Sequence, residues 1–321
     1  MTVKEQDDCA LIALDWGTSS LRCYRFDAAG TVLERRAHPW GIMQLPATEG
    51  AAQNPHLAFR AALQAACGDW LAAAPGAPLI AAGMVGSKQG WQEASYLNVP
   101  LAPERIARKL LAVDTGLGRT LHIVPGLLQM STLPNVMRGE ETQIIGALRQ
   151  WRDDELLIGL PGTHSKWVRV TNGRIVHFDT FMTGEVYGAL TAHTILGRTM
   201  QAADAPDDEA FMRGARVAQS LDGQAGVLSN IFSCRTLGLT GELAPQAQAD
   251  YLSGLLIGHE LNALKQMALQ QPQRIGLIGD AGLCRRYRLV LELYGMGPVS
   301  EADAATEIGL WSLAQHAGLV A

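Results

Sequence analysis

Asp15, Trp16, Gly17, Thr18 and Ser19 follow the apolar run at residues 9–14 and gather groups that could handle phosphate and a divalent cation. A carboxylate at a strand end can hold Mg²⁺ through water. Gly17 lets the backbone approach a phosphate, and Thr18 and Ser19 add hydroxyl and N–H donors. An ordinary hairpin turn has a similar composition; the position straight after a buried strand favours the phosphate reading. Gly162, Thr163, His164 and Ser165 form a second donor-rich turn, followed by Lys166, which is either an added charge or a solvated flank. Two such turns, one in each half of the chain, suit a nucleotide triphosphate better than either turn alone.

Further chemistry-bearing residues surround these turns. Gly279, Asp280, Ala281 and Gly282 close an apolar strand and offer either flat contact with adenine or ribose or a tight strand–helix connection. Transfer of a phosphoryl group to a hydroxyl needs a carboxylate to accept its proton, and Asp15, Glu140, Glu141, Asp179 and Glu185 are candidates. Glu140 and Glu141 also sit where a helix dipole favours acids. The loop around Ser87, Lys88, Gln89, Trp91, Glu93, Tyr96 and Asn98 combines a cation, amides and aromatics that could receive a polyhydroxylated acid, as could Arg22, Arg138 and the Trp40–Gly41 pair. A solvent-exposed polar loop has the same character.

The elements that would position these groups can be read from periodicity. Residues 9–38 alternate strand, glycine turn, strand, turn and strand, an antiparallel meander rather than a strand–helix dinucleotide unit. Helices are expected over 56–74, 102–112, 139–151, 184–197, 208–220, 246–269 and 301–316, with strands at PLIAAG, TLHIV and RIGLIGD. The meander pattern returns at 154–181, with Asn172-Gly173 as its hairpin turn. Two lobes are expected, 1–127 and 128–321, the last helix packing back on the first, with an ATP cleft between them.

The 321 residues carry a formal charge of −5, which gives no electrostatic reason to expect a nucleic-acid partner. Five scattered cysteines, without a C-x-x-C pair, exclude a zinc or disulfide framework. His164, His177 and His193 lack metal-ligand spacing. The charged start MTVKEQDD has no apolar leader run, and the uncharged stretch 70–87 is broken by Pro and Gly. A cytoplasmic protein outside the membrane is therefore expected, and a homodimer accords with the prevalence of twofold assemblies. No P-loop, G-x-G-x-x-G or G-x-S-x-G motif is present.

With these blocks in order, the chain resembles the 2-dehydro-3-deoxygalactonokinase family of the sugar-kinase, Hsp70 and actin superfamily. The likeness rests on ALDWGTSSLRCYRFD, AAGMVGSKQGWQEASYLNVP, VPGLLQMSTLPNVMRGEETQIIGAL, LPGTHSKWVRVTNGRIVHFDTFMTGE, FSCRTLGLTGEL with DYLSGLLIGHEL, and LIGDAGLCRRYRLVLELYG. It implies an α/β, two-lobed actin-like ATPase (ribonuclease H-like) fold and ATP- and Mg²⁺-dependent phosphorylation of 2-dehydro-3-deoxy-D-galactonate at its 6-hydroxyl. Asp15, Gly17, Thr18 and Ser19 would then be the first phosphate turn, residues 162–165 the second, and residues 279–282 the adenosine turn. Relatives similar to glycerol kinase carry an Asp base in a G-D-Q-Q stretch where this chain reads Gly139, Glu140, Glu141, Thr142. Exopolyphosphate phosphatases carry G-E-E there. Glu140 is the first choice for the base and Glu141 the second. An ATP or polyphosphate hydrolase, a kinase for the gluconate-derived epimer, and an ATP-gated binding protein are the alternatives.

Overall fold

A computed structural model describes residues 9–267 and 274–321. The charged start at 1–8 and the last two positions of the helix expected over 246–269 lie outside the described residues.

The chain begins with strands β1 (Leu11–Trp16), β2 (Leu21–Phe26) and β3 (Val32–His38), helix α1 (His56–Ala73), β4 (Leu79–Ala82), β5 (Leu97–Asn98) and α2 (Pro103–Ala107). There follow β6 (Leu111–Asp114), β7 (Thr120–Ile123), β8 (Leu127–Gln129), β9 (Asn135–Met137) and α3 (Glu140–Gln150). Next come β10 (Glu155–Leu160), β11 (Ser165–Thr171), β12 (Arg174–Phe181), α4 (Thr183–His193), α5 (Asp208–Val217), α6 (Val227–Asn230) and α7 (Ser233–Leu239). The remainder is α8 (Gln248–Met267), β13 (Arg274–Leu277), α9 (Ala281–Leu293), β14 (Val299–Glu301) and α10 (Ala305–His316).

Two compact units result. The first takes the described residues up to Arg152 with Thr171–His177 and Ala302–Ala321; the second takes Asp153–Val170 and Phe178–Glu301. The division falls at 152/153, whereas the expected boundary was 127/128. The reason is that α3 packs along α10: Gln143 Nε2 donates to Thr306 Oγ1 at 3.3 Å, and Gln150 Nε2 donates to the Asp303 carbonyl at 2.8 Å.

In the first unit the six-stranded sheet runs β3-β2-β1-β4-β7-β6, with β1, β4 and β7 parallel. The apolar run of β1 is fully buried because both its faces are covered. Ile12 and Leu14 join Phe59, Leu63 and Trp70 of α1 in one core, while α10 also packs on β1 and sets Trp311 against Phe26 at 5.6 Å. The helix expected over 102–112 stops at Ala107, since residues 111–114 pair antiparallel with β7 and bury Val113. A small sheet, β5-β8-β9, joins the loop after β4 to the strand before α3.

The sheet of the second unit runs β12-β11-β10-β13-β14, with β10, β13 and β14 parallel, although the β11–β12 turn and the start of β12 (Thr171–His177) count with the first unit. Asn172 and Gly173 both take positive φ (49° and 69°), the two-residue turn that matches strand twist. The final helix starts at Ala305 and not at 301, because residues 299–301 form β14. Each of the two large sheets thus holds three successive strands followed by two more in the order 3-2-1-4-5, to which the first adds β6 as an antiparallel sixth strand at its edge. That is the ribonuclease H-like sheet of the actin-like α/β fold class, present twice.

Candidate active site

The first phosphate-type turn leaves the carboxyl end of β1, where parallel α/β sheets place their ligands. Asp15 is opposite Arg22 in the β1–β2 register, with Arg22 Nη1 3.4 Å from Asp15 Oδ2. Burial pushes the Asp15 carboxyl up, and the Arg22 guanidinium pulls it back down. The Gly17 N–H donates to the Ser20 carbonyl at 2.9 Å, and Thr18 and Ser19 are exposed. A second loop braces this turn. The Ile42 N–H donates to the Gly17 carbonyl at 3.0 Å, and Trp16 Nε1 donates to the Trp40 carbonyl at 2.7 Å. A Cβ on Gly41 would sit 2.1 Å from the Thr18 carbonyl oxygen. The Trp40–Gly41 pair, weighed as a sugar-acid contact, therefore supports the turn.

The candidate bases stand beside this strand end. A Cβ on Gly139 would meet Gly83 Cα at 3.3 Å, and one on Gly83 would meet the Trp16 carbonyl at 2.7 Å, so the ends of β1 and β4 and the start of α3 adjoin. Half-buried Glu140 accepts the Arg138 backbone N–H at 3.0 Å through Oε2. Glu141 is fully buried; its Oε2 accepts the Gly139 N–H at 2.7 Å and its Oε1 accepts the Thr142 hydroxyl at 3.2 Å. Burial, with the Glu140 charge beside it, pushes the Glu141 carboxyl up to about 8. A carboxyl protonated at neutral pH accepts no proton, which leaves Glu140 as the base candidate of the pair. Asp179 lies on β12, and Glu185 pairs with His164.

The loop after β4 divides its residues. Lys88, Gln89, Glu93, Tyr96 and Asn98 are exposed, whereas Ser87 is buried with no hydrogen-bond partner for its Oγ. Trp91 offers no open face to a sugar. It is 3% exposed, edge-on to Trp16 at 6.0 Å and stacked on Phe59 at 5.7 Å, because the apolar core under β1 extends to it. Arg138 is buried below Tyr96, its guanidinium 4.4 Å from the ring centroid. Its Nη2 donates to the Ala94 carbonyl at 2.7 Å, while Nε and Nη1 have no hydrogen-bond partner.

The second turn leaves the carboxyl end of β10. Its Thr163 carbonyl accepts the Glu185 N–H at 3.0 Å, and a Cβ on Gly184 would lie 2.4 Å from the Gly162 carbonyl, so the start of α4 is pressed on this turn. Thr163 and His164 are exposed, His164 Nε2 paired to the Glu185 carboxylate. Two expectations are corrected here. Ser165 is buried with its Oγ 2.8 Å from the Tyr287 hydroxyl, and the buried Lys166 turns Nζ to the Thr180 hydroxyl at 2.8 Å. Both belong to β11, which sends them to opposite faces, and both faces are covered there. Asp280 caps α9 by accepting the Leu283 N–H at 3.0 Å, with Gly279 and Gly282 exposed beside it.

A cavity of about 530 Å³ within the second unit brings two of the expected turns together. Gly162 and Thr163 line one side, Asp280 and Gly282 another. Thr183, Tyr187, Ile257, Arg286 and Tyr287 are among the rest of the wall; none of these was read from the sequence, because helix periodicity alone does not say which face borders a cavity. Beside the cavity, Glu260 is a buried carboxylate that the sequence showed only as one acid within an apolar helix. Among the described residues no group of three or more His, Cys, Asp or Glu could hold a metal, and no helix is long and apolar enough to cross a membrane. A cation held by one carboxylate plus water and phosphate oxygens is how Mg²⁺ binds at phosphoryl-transfer sites, and Asp15 fits that pattern.

Comparison with known proteins gives the family. The model of the 2-keto-3-deoxy-galactonokinase family matches residues 15–313. A Rhizobium meliloti (strain 1021) protein named "Probable 2-dehydro-3-deoxygalactonokinase DgoK1" is 36% identical over 308 residues, covering 94% of this chain and 96% of its own. The 2-dehydro-3-deoxygalactonokinase of Escherichia coli (strain K12) is 33% identical over 305 residues, covering 94% and 97%. A crystal structure of "a putative 2-dehydro-3-deoxygalactonokinase protein" from Sinorhizobium meliloti superposes with a TM-score of 0.82 at 35% identity, covering 95% of this chain and 98% of that one. With both turns, the Gly139-Glu140-Glu141 corner and the cavity all inside the matched span, the chain belongs to the 2-keto-3-deoxy-galactonokinase family.

Proposed function

We propose that the protein transfers the γ-phosphoryl group of ATP to the 6-hydroxyl of 2-dehydro-3-deoxy-D-galactonate, giving ADP and the 6-phospho acid. The observation that carries this reading is the family match over residues 15–313, which spans every candidate site residue. The relatives' names supply the substrate; the turns and the cavity supply a physical reason for ATP.

In this reading the second unit binds the nucleoside in the cavity beside Asp280 and Gly282. Its phosphates lie against the N–H and hydroxyl donors of residues 162–164. In the first unit Asp15 would hold Mg²⁺ through water, and bound Mg²⁺ neutralises phosphate charge. Gly17, Thr18 and Ser19 donate to phosphate oxygens. Arg138, a buried cation with two unpartnered nitrogens, pairs with the sugar-acid carboxylate. Ser87, Lys88, Gln89 and Tyr96 surround that end. Glu140 accepts the proton of the 6-hydroxyl as its oxygen bonds to the γ-phosphorus and the bond to the β–γ bridging oxygen breaks. A cytoplasmic homodimer completes the reading.

The test is ADP release by purified protein with ATP and Mg²⁺, comparing 2-dehydro-3-deoxy-D-galactonate, its gluconate-derived epimer and no acceptor. Release with the galactonate acid alone supports the reading. Acceptor-independent release points to a hydrolase, and no release overturns the kinase reading.

A further inference from the structure

Glu260 lies on α8, 3% exposed, and its carboxylate is the meeting point of three other elements. Trp167 of β11 donates Nε1–H to Oε1 at 2.7 Å. Tyr287 of α9 donates its hydroxyl to Oε2 at 2.8 Å, and Thr183, the first residue of α4, donates to the same oxygen. A carboxyl group buried in a core is costly unless it is hydrogen-bonded, so its role here is bound up with its three donors.

That role follows from what its donors touch. Thr183 and Tyr287 both line the 530 Å³ cavity, and Gly184, next to Thr183, presses on the Gly162–Thr163 backbone. The Glu185 N–H holds the Thr163 carbonyl at 3.0 Å. One carboxylate therefore sets a cavity wall on α9, the start of α4 and, through α4, the second donor-rich turn. Glutamine is nearly isosteric but keeps one acceptor oxygen: set at the Oε2 place it leaves the Trp167 N–H facing an amide NH₂, and set at the Oε1 place it leaves Thr183 and Tyr287 without their acceptor, so either way the cluster is broken.

We infer that Glu260 is a positioning residue for nucleotide binding: it fixes the cavity wall and the 162–163 turn that receive a nucleoside phosphate, without touching the sugar acid. The inference rests on the nucleotide reading of the cavity proposed above. It goes beyond that reading by assigning a role to a residue that does not border the cavity.

The experiment measures ADP affinity by calorimetry, and KM for ATP and for the sugar acid, in the native protein and in Glu260→Gln, Thr183→Val and Thr183→Ser. The expected result is a rise of about tenfold in the ADP Kd and ATP KM for Glu260→Gln and Thr183→Val, with the sugar-acid KM within about twofold of native. Thr183→Ser, which keeps the hydroxyl, should recover most of the affinity that Thr183→Val loses. If Glu260→Gln fails to fold, the two Thr183 variants decide. Unchanged ADP affinity in Thr183→Val, or equal rises in both KM values, overturns the inference. A native protein that binds no ADP overturns instead the nucleotide reading beneath it.

Discussion

Glu141 accepts the backbone N–H of Gly139 at 2.7 Å, so the more deeply buried acid of the pair is committed to holding the corner from which Glu140 projects. Its carboxyl, pushed up to about 8, is mostly protonated at neutral pH. Glu140→Gln is expected to lower kcat by about a hundredfold or more, whereas Glu141→Gln should keep turnover within about tenfold of native. Steady-state kinetics on the two variants in parallel checks this. Near-native turnover in Glu140→Gln would remove it as the base.

The same carboxyl makes a stability prediction. Its folded pKa of about 8 lies above the ordinary value of 4.5, so the folded state holds the proton more tightly. The contribution is fully present below the ordinary value and is lost as pH rises through the folded one. Glu141→Gln should therefore stabilise the protein by up to a few kcal/mol near pH 9 and change little near pH 4. Thermal melts across that range give the result; a constant difference at all pH values would refute it.

Asp15 is pushed up by burial and pulled down by Arg22. If ionised Asp15 serves the metal, Arg22→Met should raise its pKa and move the acid limb of the kcat pH profile to higher pH. Asp15→Asn should raise the Mg²⁺ concentration for half-maximal activity by about tenfold or more. An unmoved magnesium titration would exclude Asp15 as the metal-binding group.

Gly41→Ala should damage the first phosphate-type turn, since its Cβ would fall 2.1 Å from the Thr18 carbonyl and 2.3 Å from the Ser19 nitrogen. Both are backbone atoms, so the turn itself must shift. Stability is expected to fall by about 1–3 kcal/mol and KM for ATP to rise by about tenfold. Paired denaturation and kinetic measurements test both halves of the expectation.

Arg138 and Trp91 should separate cleanly. Arg138→Met removes the buried guanidinium and is expected to raise the sugar-acid KM by about tenfold or more, with the ATP KM little changed. Trp91→Ala empties a core site between Trp16 and Phe59 and should cost about 3–5 kcal/mol of stability. An Arg138→Met enzyme with native sugar-acid KM would exclude the carboxylate pairing.

The legible parts of the sequence were those where local pattern and tertiary role agree. The run before Asp15 and the run before Gly162 are long, apolar and broken by glycine, so β1, β10 and both turns could be read directly. Residues 111–114 could not be separated from the helix before them, because their strand identity depends on pairing with β7, a nonlocal contact. Trp91 misled because it sits among polar neighbours while its ring belongs to the core. Ser165 and Lys166 misled because the turn ends one residue earlier than its polar composition. Glu260 carried no signal of its own: its meaning comes from donors that lie 93, 77 and 27 residues away in the chain.

Helix α10 belongs to the first unit although nearly the whole second unit separates it from the strands it covers. Apart from the short Thr171–His177 segment, the second unit is thus an uninterrupted excursion that can reach its core without waiting for later residues. The first unit must keep one face of β1 uncovered until α10 has left the ribosome. Synthesis order and assembly order are therefore reversed for the two halves: a chain halted near residue 301 is expected to hold a protease-resistant second unit beside an aggregation-prone first one, and pulse proteolysis of stalled chains would show which half closes first.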